Sequence, residues 1–290
     1  MATGHVMIQY CPVPENLAPY IGAVFYCDFQ QAGSDRLHDI LFPAWGSLRF
    51  QYGSLWHAEM DQGAQTVESR FVVAGPRTRQ LGFSMGTGRQ WGIRLRPLGW
   101  AALTGVPADA YADRIADGDT DETFARFRPL YDLLAADDAL PGLQFDRFMA
   151  FLEALPKQSV LHAHLVASVE AALADPDVRT AAEMAERAGC KQRTLERACR
   201  AIFGFTPKML VRRHRFLRSL EHYASNPARR WVGAMDQGYH DQAQFVRDFR
   251  AFMGMTPREY AALDKPVMDL LMRERLRGNG NSEVMNSVPI

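Results

Sequence analysis

The 290-residue chain is poor in cysteine. It has four thiols, Cys11, Cys27, Cys190 and Cys199, with no CxxC pair and no finger-like histidine partners. A disulfide framework and a zinc finger are therefore excluded, and reduced, mostly buried thiols in a cytosol are expected. No stretch approaches the ~18 uninterrupted apolar residues of a membrane span, so no membrane partner is expected. Met1 to Tyr10 lacks a basic region followed by an apolar one, so the reading is a cytoplasmic protein without a secretion signal. A Ser/His/Asp set, a P-loop and a dinucleotide fingerprint are missing as well, so the chain reads as a non-enzyme without a cofactor.

What is present is ordinary in bulk and uneven in distribution. Apolar content of 47% and charged content of 23% describe a globular protein, and the length favours two domains. The formal net charge is zero, yet residues 1–159 hold 13 Lys/Arg against 18 Asp/Glu, and residues 160–290 hold 20 against 15. Between Lys191 and Arg218 there are nine basic residues and one acid, Glu196. Such a run is most often a solvated face, and it gains meaning only from its setting.

The setting is a duplication. Arg197-Ala198-Cys199-Arg200-Ala201-Ile202-Phe203-Gly204-Phe205-Thr206-Pro207 recurs fifty residues later as Arg247-Asp248-Phe249-Arg250-Ala251-Phe252-Met253-Gly254-Met255-Thr256-Pro257, with six of eleven positions identical. Agreement at one fixed offset marks a repeated structural unit. Each copy is punctuated as helix, tight turn, helix. Thr180 with Glu183, and Thr256 with Glu259, form capping boxes; Gly189 and Gly238 end the first helices; Asp241 caps the second helix of the second copy. Thr206-Pro207 starts a connecting helix to about Tyr223. Its apolar arc is Met209, Leu210, Phe216, Leu217, Leu220 and Tyr223, and Arg213 stands out of place beside that arc. A rigid helix there sets two recognition helices ~34 Å apart, one DNA turn.

An α-helix fits the major groove, where Arg reads guanine, Gln reads adenine and a carboxylate accepts from cytosine. The outward sets Arg193, Glu196, Arg197 and Gln242, Gln244, Arg247 read as base contacts. Lys191, Arg200, Lys208, Arg212, Arg215 and Arg250 read as phosphate anchors, which position without specifying.

Residues 178–260 resemble the DNA-binding domain of AraC-type transcription factors (AraC/XylS). The resemblance rests on Ala185…Gly189…Leu195-Glu196-Arg197…Phe203-Gly204…Pro207…Arg215-Phe216 and, more specifically, on Gly238-Tyr239-His240-Asp241-Gln242…Phe245…Arg247…Phe249-Arg250…Gly254-Met255-Thr256-Pro257-Arg258-Glu259-Tyr260. It implies base-facing positions at Arg193, Glu196 and Arg197 in the first unit, and at Gln242, Ala243, Gln244, Val246 and Arg247 in the second. Lys191 stands where the family usually has a capping serine, and Ala198-Cys199 and Ala234-Met235 replace the usual pairs. Implied partners are duplex DNA, a small-molecule effector, a second copy of the chain and RNA polymerase.

The N-terminal half reads as short strands, Leu48–Phe50–Tyr52, Phe71–Val73, Leu81–Phe83–Met85 and Trp91–Ile93–Leu95. Gly86-Thr87-Gly88 reads as a hairpin turn between the last two. Residues from Trp100 to Leu155 turn helical. This half resembles, more loosely, the cupin-like sensor domains that precede such DNA-binding domains, on Pro43-Ala44-Trp45-Gly46 and Arg96-Pro97-Leu98-Gly99-Trp100. The cupin metal signature is missing: His38 and His57 have no HxH companion, and His162-Ala163-His164 opens a helical pattern where the rings point apart, so no metal is expected. Trp45, Phe50, Tyr52, Phe71, Phe83 and Trp91 are candidates for an effector cavity, although aromatics at strand spacing are more often plain core.

The expectation is an α+β chain: a small barrel or jelly roll with trailing helices over 1–158, an all-α domain with two helix-turn-helix units joined by a helix over 160–264, and a tail over 265–290 in which Val267 to Arg277 add a short basic helix. The function expected is sequence-specific regulation of transcription modulated by an effector. Three rivals stay open: a constitutive regulator whose N-terminal half only dimerises, an enzyme fused to a DNA binder, and a helical half that binds protein.

Overall fold

The computed structural model describes residues 5–33, 35–135, 141–225 and 231–271. Its N-terminal half is a sandwich of two antiparallel sheets. Strands β1 (His5–Cys11), β2 (Ile21–Gln30), β3 (Leu37–Leu41), β4 (Ser47–Gly53), β5 (Trp56–Met60), β6 (Gln65–Ser69), β7 (Phe71–Ala74), β8 (Leu81–Met85), β9 (Gly88–Leu95) and β10 (Ile115–Asp117) supply them. One sheet has the order β1-β2-β9-β4-β7-β10 and the other β3-β8-β5-β6, so the barrel does not close. The four strands read from sequence are present. The Gly86-Thr87-Gly88 turn is not a hairpin, because β8 and β9 lie in different sheets and the turn carries the chain between them.

Strand alternation sorts the side chains of the six-stranded sheet into two cores. Tyr26, Leu48, Phe50, Tyr52, Phe71, Trp91, Ile93 and Leu95 face outward, against helices α1 (Pro97–Thr104), α2 (Pro129–Leu134) and α3 (Pro141–Ala154). Phe25, Cys27, Phe29, Val72 and Ala74 face inward, toward Trp56, Ala58, Leu81, Phe83 and Met85 of the second sheet.

The C-terminal half is helical: α4 (Val166–Ala174), α5 (Ala181–Arg187), α6 (Gln192–Ala198, continued by a π turn to Phe203), α7 (Pro207–Ser225), α8 (Trp231–Ala234), α9 (Gln242–Met253) and α10 (Pro257–Ala262). Both capping boxes form, at Thr180/Glu183 and Thr256/Glu259. The repeat is visible in the backbone: Gly204 and Gly254 end their helices with φ of 84° and 68°, a conformation in which a Cβ is strained. His162 and His164 have ring centroids 6.2 Å apart in a short 3-10 turn, and no cluster that could hold a metal is found among the described residues. No helix among them is long and apolar enough to cross a membrane.

The two halves are packed against each other. Phe42 meets Tyr260 with ring centroids 5.8 Å apart, and the Gln80 amide donates to the Phe252 carbonyl at 2.8 Å. Residues 265–271, the start of the expected tail and of its short helix, pack against the sandwich; the remainder of that tail lies outside the described residues. Residues 266–271 are helical, with Val267, Met268 and Leu271 buried in the core between the sheets. Their first turn is held by Asp39 of β3, whose Oδ2 accepts the amides of Val267 (2.7 Å) and Met268 (3.1 Å). Apolar burial explains this packing: three apolar side chains leave water in the gap of an unclosed sandwich.

Burial lifts the Asp39 carboxyl from 3.8 to about 6, and the amides of Ile40, Met268 and Val267 only partly oppose this. The folded state holds the proton more tightly than the unfolded chain. This contribution is therefore complete below about pH 4 and is lost as pH rises through about 6, with a ceiling of about 3 kcal/mol. Between pH 5 and pH 7 the melting temperature should fall more steeply for the wild type than for Asp39→Asn, as thermal denaturation will show.

Candidate nucleic-acid interface

Helix α6 turns Leu195 and Ala198 inward and leaves Arg193, Glu196 and Arg197 exposed. No side chain caps its start at Lys191, which matches the missing serine. Glu196 stands 3.6 Å from Arg200, a helical i,i+4 ion pair, so the one acid of the basic run is partly matched within its own helix. In α9, Phe245, Phe249 and Phe252 are buried, and Gln242, Ala243 and Arg247 are exposed. Gln244 and Val246 depart from expectation. The Gln244 Oε1 accepts the His240 amide at 3.1 Å, so that side chain closes the helix start, and Val246 is half-buried against the second unit's core.

The six expected phosphate anchors divide. Lys191, Arg200, Lys208 and Arg250 are exposed. Arg212 and Arg215 are engaged inside the domain by Asp248, whose side chain is 5% exposed. Arg212 Nε lies 2.7 Å from Asp248 Oδ1, and Arg215 Nη2 lies 3.2 Å from Oδ2. Arg215 also donates to the Gly238 carbonyl at 3.1 Å, and the Tyr239 hydroxyl donates to Asp248 at 3.1 Å. Burial, and then Asp248, push the Tyr239 phenol above its ordinary range, which keeps it a donor. Arg218 is similarly held, 2.6 Å from Asp236. A buried carboxylate outcompetes solvent for a nearby guanidinium because leaving it unpaired is costly. Sequence reasoning missed Asp248; the signal available was an acid in α9 at the repeat position that holds Ala198 in the first unit.

Arg213, the outlier on the α7 wheel, faces the N-terminal half. Its guanidinium lies 4.1 Å from the centre of the Trp45 ring, and Trp45 also meets Phe203 and His214. Burial lowers Arg213 to about 9, and lowers nearby Arg77 to about 9 with help from Arg49 and Arg213 itself. α7 therefore touches both units and the sandwich.

The six aromatics expected to line an effector cavity do not share one. Phe50, Tyr52, Phe71 and Trp91 lie on the outer face under α2 and α3. Trp45 lies at the domain contact. Phe83 alone lines the inter-sheet space, with Phe25, Phe29, Leu41, Trp56, Arg49, Gln90, Val267 and Leu271. The physical reason is strand phase: even positions of β4 and odd positions of β9 point away from the second sheet.

A sheet sandwich followed by paired, repeated helix-turn-helix units with exposed, mostly basic helix faces defines the class: a DNA-binding protein with an appended β domain. Residues 184–262 match a family model described as a helix-turn-helix domain, and the C-terminal region is a helix-turn-helix domain of the AraC type. No curated protein matches the sequence. Among solved structures, ToxT from Vibrio cholerae matches with 9% identity, 89% coverage of this chain, 98% of that chain and a TM-score of 0.46. Wild-type ToxT from the same organism with unsaturated fatty acid bound matches with 9% identity, 92% and 98% coverage, and a TM-score of 0.44. The AraC-like transcriptional activator CuxR matches with 12% identity, 83% and 91% coverage, and a TM-score of 0.23.

The division of the cations gives a direct test. Asp248→Ala strands Arg215 and unhooks Arg212, and should lower stability by about 2–4 kcal/mol in denaturant titrations. Lys208→Ala, at an exposed site, should change it by less than about 0.5 kcal/mol while weakening duplex binding.

Proposed function

We propose that this protein is a cytoplasmic, non-enzymatic transcription regulator that reads a two-part duplex site through α6 and α9 and is tuned by an effector held in the sandwich. The reading assigns base contacts to Arg193, Glu196 and Arg197 of the first unit and to Gln242, Ala243 and Arg247 of the second, with the two half-sites about one turn apart. Lys191, Arg200, Lys208 and Arg250 hold phosphates. Self-association through the N-terminal half, and contact with RNA polymerase, complete the proposal.

The observation that carries it is the position of α7. This helix buries Leu210 and Val211 with the first unit, Phe216 and Leu220 with the second, and Arg213 against Trp45. A change in the sandwich that shifts Trp45 acts on the element that sets the distance between the two reading helices. An effector can bias DNA affinity only if it binds the two arrangements differently, and α7 is where that difference is transmitted.

Four of the nine cations between Lys191 and Arg218, namely Arg212, Arg213, Arg215 and Arg218, are occupied inside the protein. With about 4–6 phosphates neutralised, log K should fall with log[salt] at a slope of roughly −4 to −5. Arg193→Ala should relax base preference in one half-site by ~1–3 kcal/mol, and Lys208→Ala should weaken all sequences alike. Selection on randomised duplexes followed by anisotropy titrations measures both; a slope near zero would remove the electrostatic basis of the reading.

A further inference from the structure

On the face of the six-stranded sheet that looks into the sandwich, buried polar side chains stand among the apolar ones. Ser47, Arg49 and Gln51 of β4 and Gln90 of β9 alternate with the outward aromatics, and all four are buried. Arg49 is 6% exposed and lies between two rings, 5.0 Å from the centre of Phe25 and 4.9 Å from that of Trp56. Its Nη1 donates to Gln90 at 2.8 Å, but its Nε has no partner. Also without partners are Gln90 Nε2, Trp56 Nε1, both amide atoms of Gln51 and the Ser47 hydroxyl. Native interiors rarely leave so many polar atoms unsatisfied in one place, and each costs free energy as it stands. Burial lowers Arg49 only to about 10, so it stays charged at neutral pH.

The inventory describes what is missing. Arg49, Gln90 and Trp56, which line the space, and Gln51, opposite Gln90 in the strand pairing, together offer four nitrogens with unused N–H donors, whereas only the Gln51 oxygen is a dedicated acceptor without a partner. One buried positive charge has no carboxylate within ion-pair distance among the described residues. Apart from Tyr10 and Cys27, the remaining sheet walls, Ile8, Phe25, Phe29, Leu41 and Phe83, are apolar. An acceptor-rich anionic head on an apolar body satisfies both. We propose that the inter-sheet space binds a small organic acid, its carboxylate on Arg49 and its apolar part against Phe25 and Phe83, admitted when residues 266–271 withdraw. The last clause follows from size. The space now holds about 20 Å³, room for roughly one water, and the wall that is not sheet is Val267 and Leu271. Entry displaces those side chains, and they continue directly from α10 of the second helix-turn-helix unit. This proposal rests on the reading of the N-terminal half as the effector-sensing half and gives that effector a chemical class and an entry route.

The test uses the full chain with hexanoate and its neutral counterpart hexanamide. Hexanoate should raise the melting temperature saturably, by about 3 °C or more at millimolar concentration, and hexanamide by less than about a third of that. Arg49→Met and Gln51→Leu should each melt at or above the wild type without ligand, as expected when an unpaired buried polar group is replaced by an apolar one, and each should lose about tenfold or more in hexanoate affinity. Leu271→Ala should bind hexanoate several-fold more tightly. Equal responses to hexanoate and hexanamide overturn the proposal. So does lower stability of both variants with an unchanged response, which would make Arg49 and Gln51 structural. Duplex binding measured on the same samples separates the two readings: a wild type that binds DNA but ignores hexanoate overturns the ligand assignment alone, and one that binds no DNA overturns the regulator reading.

Discussion

The contact between Arg213 and Trp45 orders the rest of the molecule. A guanidinium 4.1 Å above an indole, both buried, is a strong and directional pairing once water is excluded. It fixes one side of α7 to the segment that enters β4. The other sides of the same helix are already committed, Leu210 and Val211 to the first helix-turn-helix core and Phe216 and Leu220 to the second. Three bodies therefore share one helix. Any repacking at Trp45 has to be absorbed by α7 as a rigid unit, because packed interiors shift between discrete arrangements instead of deforming continuously.

The two reading units are copies with different attachments. At the repeat position where α6 has Ala198, α9 has Asp248, and that single acid draws in Arg212, Arg215 and Tyr239. The second unit is thereby bolted to α7 by a charged network, while the first is held to it by apolar packing and starts α6 with an uncapped lysine. Salt-bridge networks of low exposure resist sliding more than methyl contacts do, since a small displacement strands a charge.

Much of this was legible in the sequence, for a physical reason. Helix caps and helical turns are local, so Thr180/Glu183, Thr256/Glu259 and the glycines at 204 and 254 announce themselves, and duplication doubles the signal. The oddity of Arg213 on its helical wheel was also visible, though its partner was not, because Trp45 is 168 positions away in the chain and no local rule links them. Strand phase divides the six aromatic candidates among separate cores. Alternation fixes which residues share a face but not which face looks inward, and both faces of this sheet are covered. The aromatic set drew attention while the polar set, Arg49, Gln51 and Gln90, lay on the opposite phase of the same strands. Arg212 and Arg215 were read as solvent-facing because a basic helix face looks the same from sequence whether a phosphate or a buried aspartate receives it.

The bond from Val267 to Asp39 spans 228 residues. Its consequence reaches into synthesis. On a ribosome the sandwich strands emerge first and pair early, yet the gap between the sheets is sealed by the last described residues of the chain. Until those residues clear the exit tunnel, the N-terminal half exists with an unfilled apolar opening and unpaired strand edges, the state most exposed to wrong association.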